Sequence, residues 1–172
     1  MPRSAATKAP VRPILAALAM AAALLAGCEA GPVPATPPVV AGSTDRPREV
    51  NIIAKDYSFL PDVVDLVPGE TVMLHVINGG LEIHEAIIGD MAVQDAWEAA
   101  EAETVGAPPG PTPVVSVPPE VAGLRIVVES GERVDVLWTV PAAAAGEAWI
   151  VGCHIPGHWE KGMQVPVRWV AP

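Results

Sequence analysis

The chain is poor in cysteine, histidine and positive charge. It holds two cysteines, four histidines and ten Lys plus Arg among 172 residues. Two cysteines cannot build the disulfide framework of a small stapled domain, nor a four-cysteine zinc site. Ten cations against twenty Asp plus Glu argue against binding nucleic acid or an anionic membrane by charge. Arg3, Lys8 and Arg12 all precede residue 28 and every acid lies at or beyond Glu29, so the chain beyond the leader carries −13, termini aside. Such a charge favours a basic partner or simply solubility. Aromatics are few, one Phe and one Tyr beside five Trp. No Gly-rich phosphate loop, internal repeat or nucleophile–base pair stands out, which leaves nucleotide chemistry and hydrolysis without support.

What is present begins with an export pattern. Arg3, Lys8 and Arg12 precede an unbroken apolar run, Ile14–Leu25, which is shorter than the roughly 20 residues a spanning helix needs. The run ends in Leu25-Ala26-Gly27-Cys28, which resembles a bacterial lipoprotein signal. The resemblance implies cleavage before Cys28 and lipid on its thiol and amine. The alternative is an ordinary signal peptide with an incidental cysteine. No Arg-Arg pair is present, against the twin-arginine route. Pro32, Pro34, Pro37, Pro38 and Pro47 then mark a tether without a core of its own. The expected plan is a signal peptide at 1–27, a Pro-rich tether at 28–48 and one folded domain at 49–172. The domain would lie outside the cytoplasm, held to a membrane by the lipid. An oxidising compartment would permit a Cys28–Cys153 disulfide. With lipid on one thiol and metal on the other, neither is free to pair.

From Val50 short β-rich runs alternate with turn signals, which favours an antiparallel sandwich. Strands are expected at 50–57, 63–67, 71–78, 82–88, 124–129, 133–140, 147–153 and 164–170. Val67-Pro68-Gly69-Glu70 reads as a type II turn. His75 falls opposite Val72, Leu74 and Val76 and is read as a half-exposed polar residue. His84 shares its face with Ala86 and Ile88 and should point into the sandwich. Apolar residues at Val93, Ala96, Trp97 and Ala100 predict a short helix over 93–103 with Glu98, Glu101 and Glu103 solvated. Met91 is read as filler. Pro166 marks its strand as an edge or a bulge.

The chemistry concentrates in Val151–Met163, where Cys153, His158 and Met163 follow C-x4-H-x4-M. Thiolate, imidazole and thioether make a soft, mixed donor set that suits copper in both oxidation states. Structural zinc rarely recruits a thioether. Three donors are not a full site, so a further histidine is required from upstream. Of the four in the chain, His84 is the best placed.

His84 followed at long range by Cys153, His158 and Met163 resembles the type 1, or blue, copper site of the cupredoxins. The stretch Thr71–Asp90 is similar to the segment around the first copper histidine in plastocyanin/azurin-like, auracyanin-like and rusticyanin-like members. The resemblance spans roughly Val50–Ala171. It implies an all-β Greek-key sandwich of about seven to eight strands with a short helical insertion. It implies one copper ion cycling between Cu(I) and Cu(II). Cys153, His84 and His158 would lie in a plane around that ion, with Met163 on a long axial bond. Glu85 stands where many members carry Asn or Ser to tie the ligand loops together. Its backbone N–H can still reach the Cys153 sulfur.

His154 follows Cys153, but Gly152 precedes it, so the His-Cys-His run of multicopper oxidases is incomplete, and four histidines cannot serve two centres. His154 is expected on the surface or behind the ligands. Trp159 lies either near the edge where electrons enter or simply in packing. The leading expectation is a lipid-anchored, monomeric carrier of single electrons, not an enzyme. Electrons would pass through an exposed edge of His158 to a redox partner such as a cytochrome or membrane oxidoreductase. A copper carrier or storage protein, and a copper-bearing accessory subunit of a membrane oxidoreductase, are the alternatives.

Overall fold

The computed structural model describes residues 38–106 and 115–172. The leader, Cys28, the tether up to residue 37 and residues 107–114 of the Pro-rich loop after the helix lie outside the described residues. No described helix is long and apolar enough to cross a membrane.

Among the described residues, nine strands form two facing sheets. β1 (Arg48–Lys55), β2 (Ser58–Leu60), β4 (Thr71–Asn78) and β7 (Arg133–Thr139) make one, in the order β2-β1-β4-β7. β3 (Val64–Leu66), β5 (His84–Gly89), β6 (Leu124–Val128), β8 (Ile150–Gly152) and β9 (Gln164–Trp169) make the other, in the order β3-β9-β8-β5-β6. Period-two alternation puts Val50, Ile52, Ala54, Val72, Leu74 and Val76 of the first sheet into one core with Ala86, Ile88, Ile126, Val128 and Val151 of the second. The strand beyond the eight expected is β2, a three-residue strand before Pro61, while the expected 63–67 strand shortens to β3.

Pairing departs from the antiparallel expectation in two places. β1 runs parallel to β4, and β3 parallel to β9. Between β1 and β4 the chain crosses to the other sheet and back, which lets β4 return in the direction of β1. β9 is an interior strand rather than an edge, flanked by β3 and β8. The Val167 N–H donates toward β8, to the Trp149 carbonyl at 2.8 Å, so the nitrogen of Pro166 faces the β3 side. There β3 pairing starts only at Val64 opposite Val167, and the missing N–H breaks no ladder bond. The 67–70 turn forms as expected, with the Glu70 N–H donating to the Val67 carbonyl at 3.1 Å and Gly69 at φ 83°.

Helix α1 (Met91–Ala102) starts at Asp90, whose side chain accepts the Val93 N–H at 3.0 Å. Val93 and Trp97 pack on Ile87, so both faces of β5 are buried. The helix departs from its expected pattern at Glu101, which is 4% exposed rather than solvated. Arg125 of β6 reaches beneath the helix to take Glu101 at 2.9 Å. Met91 is exposed at the helix start and fills no gap.

His75 is buried, not half-exposed, at 7%. It lies directly across from Asp135 on β7, and Nδ1 contacts that carboxylate at 2.6 Å while Nε2 meets Glu49. The hydrogen bond it donates to Asp135, then that to Glu49, raises its pKa, with burial and Arg133 opposing. A raised folded pKa means the pairing contributes fully below the ordinary histidine range and fades as pH rises through the elevated value. Asp135, lowered by Arg133 and His75, loses its share only in acid. The stability difference between the parent and His75→Gln should therefore shrink as pH rises from about 6 to 9, read by urea unfolding at each pH. A pH-independent difference would show that the pairing carries no charge.

Candidate metal centre

His84 opens β5 and, as expected, points into the sandwich, fully buried. Cys153 follows β8 on the same inner side, also fully buried. The loop between β8 and β9 then folds back on itself. Pro156 and Gly157 occupy the centre of a tight turn, with Gly157 at φ 87° and the His158 N–H donating to the Ile155 carbonyl at 2.9 Å. Met163 ends the loop, fully buried. Its N–H donates to the His158 carbonyl at 3.2 Å and its carbonyl accepts the Cys153 N–H at 3.1 Å.

The donor atoms of His84, Cys153 and His158 lie within 4.8 Å of one another. The two Nδ1 atoms are 3.3 Å apart, and the Cys153 sulfur is 3.3 Å from His158 Nδ1. Each imidazole meets a carboxylate on its far side: His84 Nε2 donates to Asp56 Oδ1 at 2.8 Å, and His158 Nε2 to Glu82 Oε2 at 3.2 Å. An ionised carboxylate only accepts, so a neutral imidazole so placed carries its hydrogen on Nε2. Both Nδ1 lone pairs then face the sulfur, and the thiol hydrogen is the one proton left among the three donors, which a bound metal displaces. A soft cation satisfies such a meeting of two imidazoles and a thiol, and a thioether at the same loop extends the set.

Electrostatics agree with that fit. Burial pushes the Cys153 thiol up to about 12, and the Glu85 and Glu101 carboxylates add to the rise. The backbone N–H groups of Glu85 and Ile155 act the other way on the sulfur. A bound cation supplies the remaining charge that a thiolate needs. Burial lowers the His158 pKa, which favours the neutral form a metal requires.

Beyond the expected backbone N–H, the Glu85 side chain itself ties segments of the site together. It is fully buried, and Oε1 accepts the His154 N–H at 3.1 Å while Oε2 takes Arg125 Nε at 2.7 Å. His154 is not on the surface: it is 3% exposed behind the ligand loop. Its ring contacts Glu98 at 2.7 Å and Gln94 Oε1 at 2.8 Å, and stacks on Trp159 at 4.6 Å. Gln94 is oriented by three carbonyls, those of Ile87, Gly89 and Ile150. Trp159 thus packs on His154 and against Gly152. A Cβ at residue 152 would lie 2.6 Å from both Gln94 Oε1 and the Trp159 ring, so a His-Cys-His run has no room here.

One expectation fails. His158 has no exposed edge, because its side chain is 4% accessible. Glu82 covers Nε2, and Tyr57 packs its ring at 4.8 Å from the imidazole. Asp56, Tyr57, Glu82 and Lys161 form this cover, and no spacing in the sequence points to them. The nearest signal is an acid two residues before His84, which is common in any acidic chain.

No protein-family model matches the chain. The Copper-resistant cuproprotein CopI of Pseudomonas aeruginosa is 27% identical over 135 residues, covering 67% of this chain and 72% of that protein. Dithionite-reduced auracyanin from Roseiflexus castenholzii superposes with a TM-score of 0.54 at 18% identity, over 76% of this chain and all of that one. Auracyanin A, a "blue" copper protein from Chloroflexus aurantiacus, gives 0.54 at 22% identity, over 70% of this chain and 97% of its own. The fold is the cupredoxin fold that the ligand spacing resembles.

Proposed function

We propose that the protein is an extracytoplasmic type 1 copper protein that carries single electrons, and is not an enzyme. The observation that carries this reading is the buried convergence of His84, Cys153 and His158 within 4.8 Å. These three would hold the ion with Met163 as the fourth donor, and copper bound there would supply a one-electron Cu(I)/Cu(II) couple. The residues themselves exclude water and hold the donors in place through the 155–158 turn and the Glu85 tie. That rigidity suits a centre whose surroundings rearrange little between oxidation states. The leader supports export, with Cys28 as the lipid attachment, and the partner is a redox protein met by a monomer.

Copper loading followed by visible and electron paramagnetic resonance spectra tests the reading. Strong thiolate-to-copper absorption and a narrow hyperfine splitting are expected. Bound copper without either would remove it. Met163→Leu should keep the colour and raise the potential, because a weak donor to Cu(II) is lost. An unchanged potential would take Met163 out of the ligand set.

A second reading, copper retention during copper stress, is favoured by the name of the Pseudomonas relative and by the cover over His158. Copper exchange and electron self-exchange rates separate the two. Fast self-exchange supports the shuttle, and slow self-exchange with slow copper release supports retention.

A further inference from the structure

The cover over the imidazoles is itself organised. Asp56 comes from the β1–β2 turn and Glu82 from the connection before β5, and each takes one ligand histidine from its solvent side. Neither carboxylate hangs free. Asp56 accepts the Leu81 N–H at 2.9 Å and the Glu82 N–H at 3.3 Å, which ties the two connections together. The Tyr57 hydroxyl donates to Glu82 Oε1 at 2.6 Å, and the Lys161 ammonium sits 3.4 Å from the Tyr57 ring centroid. Tyr57 in turn packs edge-on against both imidazoles. The result is a pair of preset acceptors, one for each ring.

We propose that Asp56 and Glu82 are positioning residues that hold both ligand imidazoles with Nδ1 turned inward, and that their charges weight the centre toward Cu(II). The inference rests on the copper reading above. The physical reason has two parts. A carboxylate behind a ligand histidine fixes the ring and makes its metal-facing nitrogen a stronger donor. The same negative charge attracts the doubly charged ion more than the singly charged one. Solvent screening ranks the two residues: the Asp56 side chain is 27% exposed and that of Glu82 52%. Asp56 therefore has the larger effect.

Charge and position can be separated by choice of variant. Asp56→Asn keeps an oxygen for the Leu81, Glu82 and His84 N–H groups but removes the charge. Asp56→Ala removes both. Loss of such an outer partner lowers metal affinity by about 10- to 100-fold. If the lower bound falls on Cu(II) alone, the tenfold change raises the reduction potential by about 59 mV. Asp56→Asn should show an upward shift of that order, and Glu82→Gln a smaller one in the same direction.

Imidazole nitrogen NMR of the metal-free protein supplies a readout that needs no copper. Both ligand rings should carry hydrogen on Nε2 in the parent and in Asp56→Asn, and His84 should become a mixture in Asp56→Ala. A potential unchanged or lowered in Asp56→Asn overturns the charge bias, and hydrogen on Nδ1 of either ring in the parent overturns the positioning. A copper-loaded protein without thiolate-to-copper absorption would instead fail the copper reading, while the ring measurement would still decide the positioning.

Discussion

Cys153→Ser should leave a folded protein whose stability no longer responds to copper and which shows no blue colour. The side chain lies fully buried at the end of β8, with the N–H groups of Glu85 and Ile155 against the sulfur. A serine hydroxyl fits that space and can accept from the same two groups. The metal-free protein should therefore lose only about 1 kcal/mol. Ionisation is the difference. Burial has already pushed the thiol up to about 12, and the hydroxyl of serine ionises far less readily than any thiol. The variant would offer a neutral oxygen where the centre needs a soft anion. A ligand present at a thousandfold its Kd adds about 4 kcal/mol to stability, and this increment should disappear. Urea unfolding with and without copper reads both quantities. The parent's midpoint should rise on loading and the variant's two curves should coincide. A serine variant stabilised as much as the parent would show that Cys153 is not a ligand.

Why the donors are readable from the chain, and the cover is not, follows from distance along it. Cys153, His158 and Met163 share one loop, so their spacing alone carries chemistry. His84 is legible because strand alternation places it beside Ala86 and Ile88 on the inner face. Asp56 and Glu82 reach the imidazoles from two separate connections, and only the packing of those connections sets them there. Glu101 illustrates a different failure. The apolar stripe of α1 marks it as outward-facing, yet Arg125 of β6 supplies a buried partner that helix periodicity does not encode. His75 alternates outward and is nonetheless covered, because Glu49 and Asp135 on the flanking strands close over it. Alternation also fixes which face of a strand is buried without naming its neighbour. That is why β1 beside β4, and β3 beside β9, emerge only in three dimensions.

The same long-range logic makes Glu85 the most sensitive residue outside the donor set. Its carboxylate joins three elements, receiving the His154 N–H from the ligand loop and Arg125 from β6, with Arg125 continuing to Glu101 on α1. Burial, and then the neighbouring Glu85 charge, raises the Glu101 pKa, while Arg125 pulls it back. Removing Glu85 therefore has opposing consequences. It relieves one repulsion between carboxylates, but it leaves the His154 N–H without its acceptor and Arg125 with half its neutralisation. Breaking a buried pair from one side costs about 3–5 kcal/mol, and the remaining Glu101 partner argues for the lower end. Glu85→Ala should thus lose about 3 kcal/mol in urea unfolding of the metal-free protein. Glu85→Gln keeps an oxygen for His154 and should lose about 1 kcal/mol. The two should also differ at the centre. With the His154 peptide released, Cys153 is no longer held against β5, so copper-loaded Glu85→Ala should show a weakened and shifted thiolate absorption. Glu85→Gln should keep the parent spectrum. Equal losses of stability and identical spectra in the two variants would mean that Glu85 acts by its charge alone and does not hold the ligand loop.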